Sequence, residues 1–249
     1  AVIAADIMKS QLIDQVQLYV NTFKEWSNVL SKVGPLVALI ETLKGPAAGD
    51  SEAQARFLKM MGEQSARMTR LVDDLLSLSR IEMDEHVRPQ EKVDLLPIVQ
   101  HVRELLATAA QARDMRVEID AQPGLPPVLG SPDQLTQLFV NLIDNAIKYA
   151  RSGTTVRVTA GPARLGDGRP AVSVTVADEG EGIAREHLPR LTERFYRVDA
   201  GRSRKQGGTG LGLAIVKHVV NRHRGQLKID SEVGVGSAFT VLLPALSQN

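Results

Sequence analysis

Gln134–Ala150 reads QLTQLFVNLIDNAIKYA, and the way its residues divide around a helix decides the fold. On a 3.6-residue wheel Leu135, Leu138, Phe139, Leu142 and Ala146 gather on one side, a face built to be buried. Asn141, Asn145 and Lys148, at i, i+4 and i+7, gather on another. Asparagine in a helix interior costs about 0.6 kcal/mol relative to alanine. Two of them one turn apart weaken the helix without a structural return. A solvated face accounts for Lys148 alone, but the asparagine pair points to a site. Carboxamide oxygens are hard ligands suited to Mg²⁺, and a neighbouring lysine suits phosphate.

The flanks of this helix read as mixed α/β. Ser131-Pro132 supplies an N-cap and a first-turn proline. Upstream, a helix is predicted over Leu95 to Ala112, with short strands near Arg116–Ile119 and Pro127–Leu129. Downstream, strands Thr155–Ala160 and Ala171–Ala177 flank the turn GPARLGDGRP. A helix near Leu211–Asn221 and strands Gln226–Ile229 and Ala238–Leu243 follow. The polar, proline-containing MDEHVRPQEK (Met83–Lys92) reads as a linker to a different architecture. Before it, one apolar seam runs from Val16 to Leu43 and another from Phe57 through Leu58, Met61, Met68, Leu71, Leu75 and Leu78 to Ile81. GPAAGDS (Gly45–Ser51) stops the first helix and starts the second. The pair predicts an antiparallel helical hairpin whose half-covered seam is completed by dimerisation into a four-helix bundle. The expected domains are therefore residues 1–86, a helical hairpin, and 87–249, an α/β domain.

Composition removes several classes of function. The 249 residues hold 30 basic and 29 acidic side chains, a net charge of +1 that gives no footprint for nucleic acid. Aromatic content of 4% argues against a base-stacking surface. Without cysteine there is no disulfide, thiolate or Cys-based metal chemistry, which suits a cytoplasmic setting. No apolar run approaches the roughly 18–20 residues of a membrane span. The chain opens at Ala1 without a signal-peptide pattern and reads as part of something longer.

Two glycine-rich stretches frame the second half. VADEGEGI places Asp178 at a strand end, with Gly180 and Gly182 allowing a sharp turn and close approach to a ligand. Such a carboxylate can accept hydrogen bonds from an amino group, adenine N6 being one candidate. Taken alone, the same pattern makes ordinary turns. GGTGLGLAIVKHVV surrounds Thr209 with Gly207, Gly208, Gly210 and Gly212 immediately before an apolar helix. A glycine-rich entry to a helix N-terminus offers free N–H groups to phosphate. The stretch lacks the G-x-x-x-x-G-K-[ST] of a P-loop. The basic DAGRSRKQ (Asp199–Gln206) before it has the composition of a solvated loop and equally of a lid.

The order NLIDNAIKYA, DEGEGI, ERFYRVD, GGTGLGLAIVKHVV resembles the N box, first glycine box, F box and second glycine box of sensor histidine kinases, within the wider GHKL ATPase superfamily. GVGSAFTVLLP (Gly234–Pro244) is similar to the family's final strand pair, and the resemblance, nearest to the PhoR-like type, covers roughly Ser51 to Pro244. It implies a dimerisation and histidine-phosphotransfer bundle followed by an ATP-binding α/β two-layer sandwich of the GHKL type. Position by position, it implies Asn145 as the Mg²⁺ ligand, with Asn141 on the same face and Lys148 and Tyr149 lining the nucleotide pocket. Asp178 would bind the adenine amino group between Gly180 and Gly182, and Arg197 would reach the γ-phosphate. Gly208, Thr209, Gly210, Leu211 and Gly212 would close on the phosphates. Glu179 stands where the family more often has asparagine. The implied partners are a second copy of the chain and a response-regulator receiver domain, with any membrane attachment in a sensor segment outside this chain.

One departure bears on catalysis. The family's first bundle helix carries a motif like His-Glu-Leu-Arg-Thr-Pro-Leu, whereas this chain has NVLSKVGPL. Counting back from Pro35 puts Leu30 at the histidine position, and a one-residue deletion puts Ser31 there, followed by Lys32 instead of the acid. The histidines are His86, His101, His187, His218 and His223, all read as surface or packing residues. A neutral serine without an activating base is a weak nucleophile. The resemblance thus implies a kinase core that binds Mg·ATP for autophosphorylation and phosphotransfer, lacking its phosphoacceptor; the alternative is a non-catalytic ATP-binding dimeric scaffold. A chaperone- or topoisomerase-type ATPase would need further domains, for which 249 residues leave little room.

Overall fold

The structure, a computed structural model, describes residues 50–83, 88–198 and 208–246. The predicted first helix, with Leu30, Ser31 and Pro35, lies outside them. The chain divides into two compact units, residues 1–73 and 74–249. Helix α1 (Ser51–Met83) runs across that division. It begins where Asp50 Oδ1 accepts the Glu52 and Ala53 N–H groups, each at 2.9 Å, satisfying two donors that the first turn leaves open. Along the predicted seam Leu58 is 61% exposed, while Leu75, Leu78 and Ile81 in the second unit are buried.

The second unit continues with β1 (Glu91–Val93), α2 (Leu95–Leu105), α3 (Ala107–Gln111), β2 (Arg116–Ala121) and β3 (Val128–Gly130). Then come α4 (Pro132–Tyr149), β4 (Thr155–Arg164), β5 (Pro170–Asp178), a 3₁₀ turn at Leu188–Arg190, α5 (Gly212–Arg222), β6 (Gln226–Glu232) and β7 (Gly236–Pro244). The main sheet has the order β2-β4-β5-β7-β6, with only β2–β4 parallel. β1 pairs with β3 in a separate two-stranded ribbon. The predicted helix over Leu95–Ala112 breaks at Leu106 into α2 and α3.

Strand alternation explains the two layers. Val156, Val158 and Ala160 of β4 are buried, and Val174 and Val176 of β5 continue the same face. Across β7, Phe239 and Val241 pair with Val176 and Val174 and are buried too. On this face lie α4, through Leu135, Leu138, Phe139, Leu142 and Ile143, and α5, through Ala214, Ile215, Val216 and Val219. Fully burying each such aliphatic or aromatic side chain contributes roughly 1.5–3 kcal/mol. The predicted α/β two-layer sandwich is therefore present, and Asp178 closes the even-numbered series of β5 on its helix-facing side.

His223 closes the core at the end of α5. It is fully buried; its Nδ1 donates to the Val219 carbonyl at 2.7 Å and its Nε2 accepts the Ser131 N–H at 3.1 Å. The ring thus ties the end of α5 to the start of α4 as a packing residue.

Candidate functional site

The polar face of α4 emerges where its apolar face leaves it. Asn141 Nδ2 donates to the Gln137 carbonyl at 3.0 Å, which turns Oδ1 outward toward Gly212 at the start of α5. A Cβ on Gly212 would stand 2.8 Å from that oxygen, so the carboxamide occupies the space a side chain would need. Asn145, one turn on and half-buried, makes no hydrogen bond through its carboxamide among the described residues. Lys148 Nζ pairs with Asp144 Oδ2, an i,i+4 ion pair that spends at least one donor within the helix. Tyr149 is half exposed at the helix end.

Asp178 faces this end of α4 from the sheet. Its Oδ1 accepts the Gly180 N–H at 2.8 Å. Burial pushes the carboxyl above the usual carboxylate range, and the N–H groups of Gly180 and Ser237 partly oppose the push. The glycine turn folds directly against α4: Ala150 and Gly180 form an antiparallel bridge, and a Cβ on Gly180 would lie 2.8 Å from the Tyr149 carbonyl. At Gly182, with φ +71°, a Cβ would fall 2.0 Å from the Glu232 carbonyl. Only glycine fits there.

The second glycine stretch meets the same end of the helix pair. Tyr149 Oη and Arg197 Nη2 lie 3.4 and 3.6 Å from where a Cβ on Gly208 would stand. Thr209 Oγ1 donates to Asp74 Oδ2 at 2.7 Å and receives the Leu211 N–H at 3.3 Å. The Phe195 N–H donates to the Gly210 carbonyl at 2.8 Å, tying the RFYRVD segment to this loop. Leu211 is fully buried under the loop. Tyr196 is held by His187 Nδ1 at 2.7 Å and by the Arg190 guanidinium 4.2 Å over its ring.

The structure thus brings Asn141 to Gly212, and Tyr149 and Arg197 to Gly208, with Gly180 against the Tyr149 carbonyl. It pairs Lys148 with Asp144 instead of leaving its ammonium unengaged. Sequence reasoning misses Asp74, Arg113 and Arg151. Arg113 donates through Nη1 to the Ile147 and Lys148 carbonyls and through Nη2 to that of Ala150 at 2.9 Å. Arg151 donates to the Gly180 carbonyl at 3.1 Å and to that of Gly234. Adjacency to QLTQLFVNLIDNAIKYA was the one local signal for Arg151; Arg113 and Asp74 carried none.

A cavity of about 770 Å³ opens at the end of β5, where Asp178, Glu179 and Ser237 line it together with Arg157, Ala177 and Asp230 among others. By the strand alternation Arg157 and Ala177 point away from α4 and α5, so from Asp178 this cavity extends onto the opposite face of the sheet.

Comparison with known proteins agrees with this arrangement. Residues 130–247 match the family described as histidine kinase-, DNA gyrase B-, and HSP90-like ATPase. The phosphate regulon sensor protein PhoR of Pseudomonas aeruginosa is 37% identical over 205 residues, 82% of this chain and 45% of that protein. A sensor-like histidine kinase SenX3 of Mycolicibacterium smegmatis is 37% identical over 212 residues, 85% of this chain and 53% of that protein. The chain thus spans about half the length of these curated relatives. Among solved structures, the Acinetobacter baumannii histidine kinase AdeS superposes with a TM-score of 0.66 at 22% identity, over 88% of this chain and 98% of that one, a likeness of fold. The mycobacterial sensor histidine kinase MprB gives a TM-score of 0.53 at 28% identity, over 64% of this chain and 99% of that one. Among the described residues no helix is long and apolar enough to cross a membrane. Residues 130–247 are thus similar to the histidine kinase-, DNA gyrase B-, and HSP90-like ATPase family, within a chain similar over its matched length to PhoR- and SenX3-type sensor histidine kinases.

Proposed function

We propose that this chain is the ATP-binding core of a two-component sensor histidine kinase, with residues 87–249 holding Mg·ATP and residues 1–86 forming a dimerising helical hairpin. The observation that carries the reading is the placement of Asp178. It is a carboxylate at a strand end, on the buried helix-facing side, against the end of the helix that bears Asn141 and Asn145. Burial raises its proton affinity against the N–H groups of Gly180 and Ser237, and an adenine amino group would supply a further donor. Asn145 would hold Mg²⁺, a role supported by its half-buried carboxamide without a protein hydrogen bond among the described residues. Asn141, Lys148, Tyr149 and Arg197 would border the phosphates together with Gly208–Gly212. Lys148 would then exchange Asp144 for a phosphate oxygen, since an i,i+4 surface pair is worth only about 0.3–0.5 kcal/mol. The exposed Leu58 on α1 supports pairing with a second copy, and a response-regulator receiver domain would take the phosphoryl group from the bundle.

In such a core a histidine nitrogen attacks the γ-phosphorus, the bond to ADP breaks, and an adjacent acid takes the ring proton. This sequence has no histidine before His86. A second reading, an ATP-binding dimeric scaffold, rests on that absence. Incubation with γ-labelled ATP separates the two. The chain itself should bind ATP yet give no acid-labile phosphoprotein. The paired replacements Leu30→His with Ser31→Glu, or Ser31→His with Lys32→Glu, should restore label in one register. ATP binding with no label in either restored chain would favour the scaffold.

A further inference from the structure

We propose that Arg113 and Arg151 are positioning residues of the nucleotide site, together clasping the end of α4 to the glycine turn; the inference rests on the nucleotide-binding reading above. The last carbonyls of a helix have no partner within it and carry its negative end. In α4 those carbonyls belong to the turn that follows Asn145 and includes Lys148 and Tyr149. Arg113 takes the Ile147, Lys148 and Ala150 carbonyls with one guanidinium, and its Nη2 reaches Ser152 Oγ at 3.5 Å. Its approach is fixed from behind. Arg113 N–H donates to the Ala110 carbonyl, Asp114 follows at φ 56°, and the Arg113 carbonyl accepts the Gly153 N–H at 3.1 Å.

Arg151 acts on the other side of the same joint. Its N–H lies 3.4 Å from the Glu179 carbonyl, and its guanidinium reaches the carbonyls of Gly180 and, across the β6–β7 hairpin, Gly234. One arginine therefore holds the helix end, and Arg151, two residues beyond that end, holds the turn that sets Asp178. Asn145 and Asp178 lie on different elements, so their separation depends on this joint as well as on the packing of α4 against the sheet. Neither arginine is among the residues placed on the ligand itself. A planar fork with several donors is what three carbonyls in one turn require, and a lysine ammonium cannot reproduce that geometry.

Calorimetric titration of the full chain with ATP and Mg²⁺ tests the proposal. Arg113→Ala and Arg151→Ala should each weaken ATP by about tenfold or more, as expected when a supporting contact loosens a preorganised site. Arg113→Lys should recover only part of that loss. Leu165→Ala provides the control. Leu165 is buried with Ala171 and Leu242 at the β4–β5 hairpin, so the change should lower the melting temperature while leaving ATP affinity as in the wild type. The double variant should lose less than the product of the two single losses, because both arginines hold one joint. Arginine variants that are folded and bind ATP as tightly as wild type would overturn the proposal, as would losses no greater than that of a Leu165→Ala chain matched in melting temperature. If Arg113→Ala does not fold, Arg113→Lys and Arg151→Ala carry the same comparison. A wild-type chain that does not bind ATP overturns the nucleotide reading itself, and the wild-type titration shows this separately.

Discussion

Asp178 and His223 are the two side chains whose ionisation the fold shifts in ways that bear on its account. For Asp178 the folded carboxyl holds its proton more tightly than the unfolded one. Its contribution to stability is therefore greatest at low pH and is lost as pH rises through the folded value. On the nucleotide reading, a ligand donor would offset the cost of burying this carboxylate at neutral pH. Asp178→Asn should leave the ligand-free melting temperature unchanged or higher, while weakening ATP by about a hundredfold. A melting temperature several degrees lower would contradict this. His223 shifts the other way: burial lowers its proton affinity below the ordinary 6.5, helped by Arg222 and Arg88 and opposed by the Val219 carbonyl. Its neutral ring uses one nitrogen as donor and the other as acceptor, and a proton on Nε2 would face the Ser131 N–H. The stability it supplies is complete above about pH 6.5 and falls as pH drops below that value. Thermal melts at pH 8 and pH 5 should therefore differ less in His223→Gln than in the wild type.

Among the elements, α4, α5 and the four long strands were legible because their apolar residues follow one period over many positions. The asparagine pair on α4 was legible for the opposite reason, since it breaks that economy. β1 was not legible: Glu91–Val93 is only three residues, too short to show alternation, and it exists by pairing with β3 from 37 positions on, Lys92 facing Leu129. The break at Leu106 carries no glycine or proline to announce it. Lys148 was read toward phosphate, and in the fold a carboxylate four residues earlier, that of Asp144, takes its ammonium. Asp74 reaches Thr209 from 135 residues away, a contact that no local pattern encodes. Two glycines separate steric roles of different kinds. Gly182→Ala drives a Cβ into a backbone carbonyl at a positive φ and should destabilise by about 1–3 kcal/mol. Gly212→Ala meets only the movable Asn141 carboxamide, so it should change the melting temperature little while weakening ATP. Thermal denaturation beside an ATP titration checks both, and equal stability losses would count against the assigned geometry.

On the proposed reading, the α/β unit gathers the residues that would face a nucleotide, while the sequence before His86 holds no histidine to receive the phosphoryl group. The two properties are separable because they lie on different parts of the chain: the family match begins at residue 130, and the nominal acceptor positions are Leu30 and Ser31. A chain of this kind should therefore bind nucleotide without labelling itself. The most direct test is calorimetric titration of ATP into the full chain with Mg²⁺ present, repeated with EDTA and with Asp178→Asn. The expected result is one saturable site per chain, weakened by EDTA and weakened about a hundredfold by Asp178→Asn. No saturable binding, or binding indifferent to Asp178→Asn, would contradict the account.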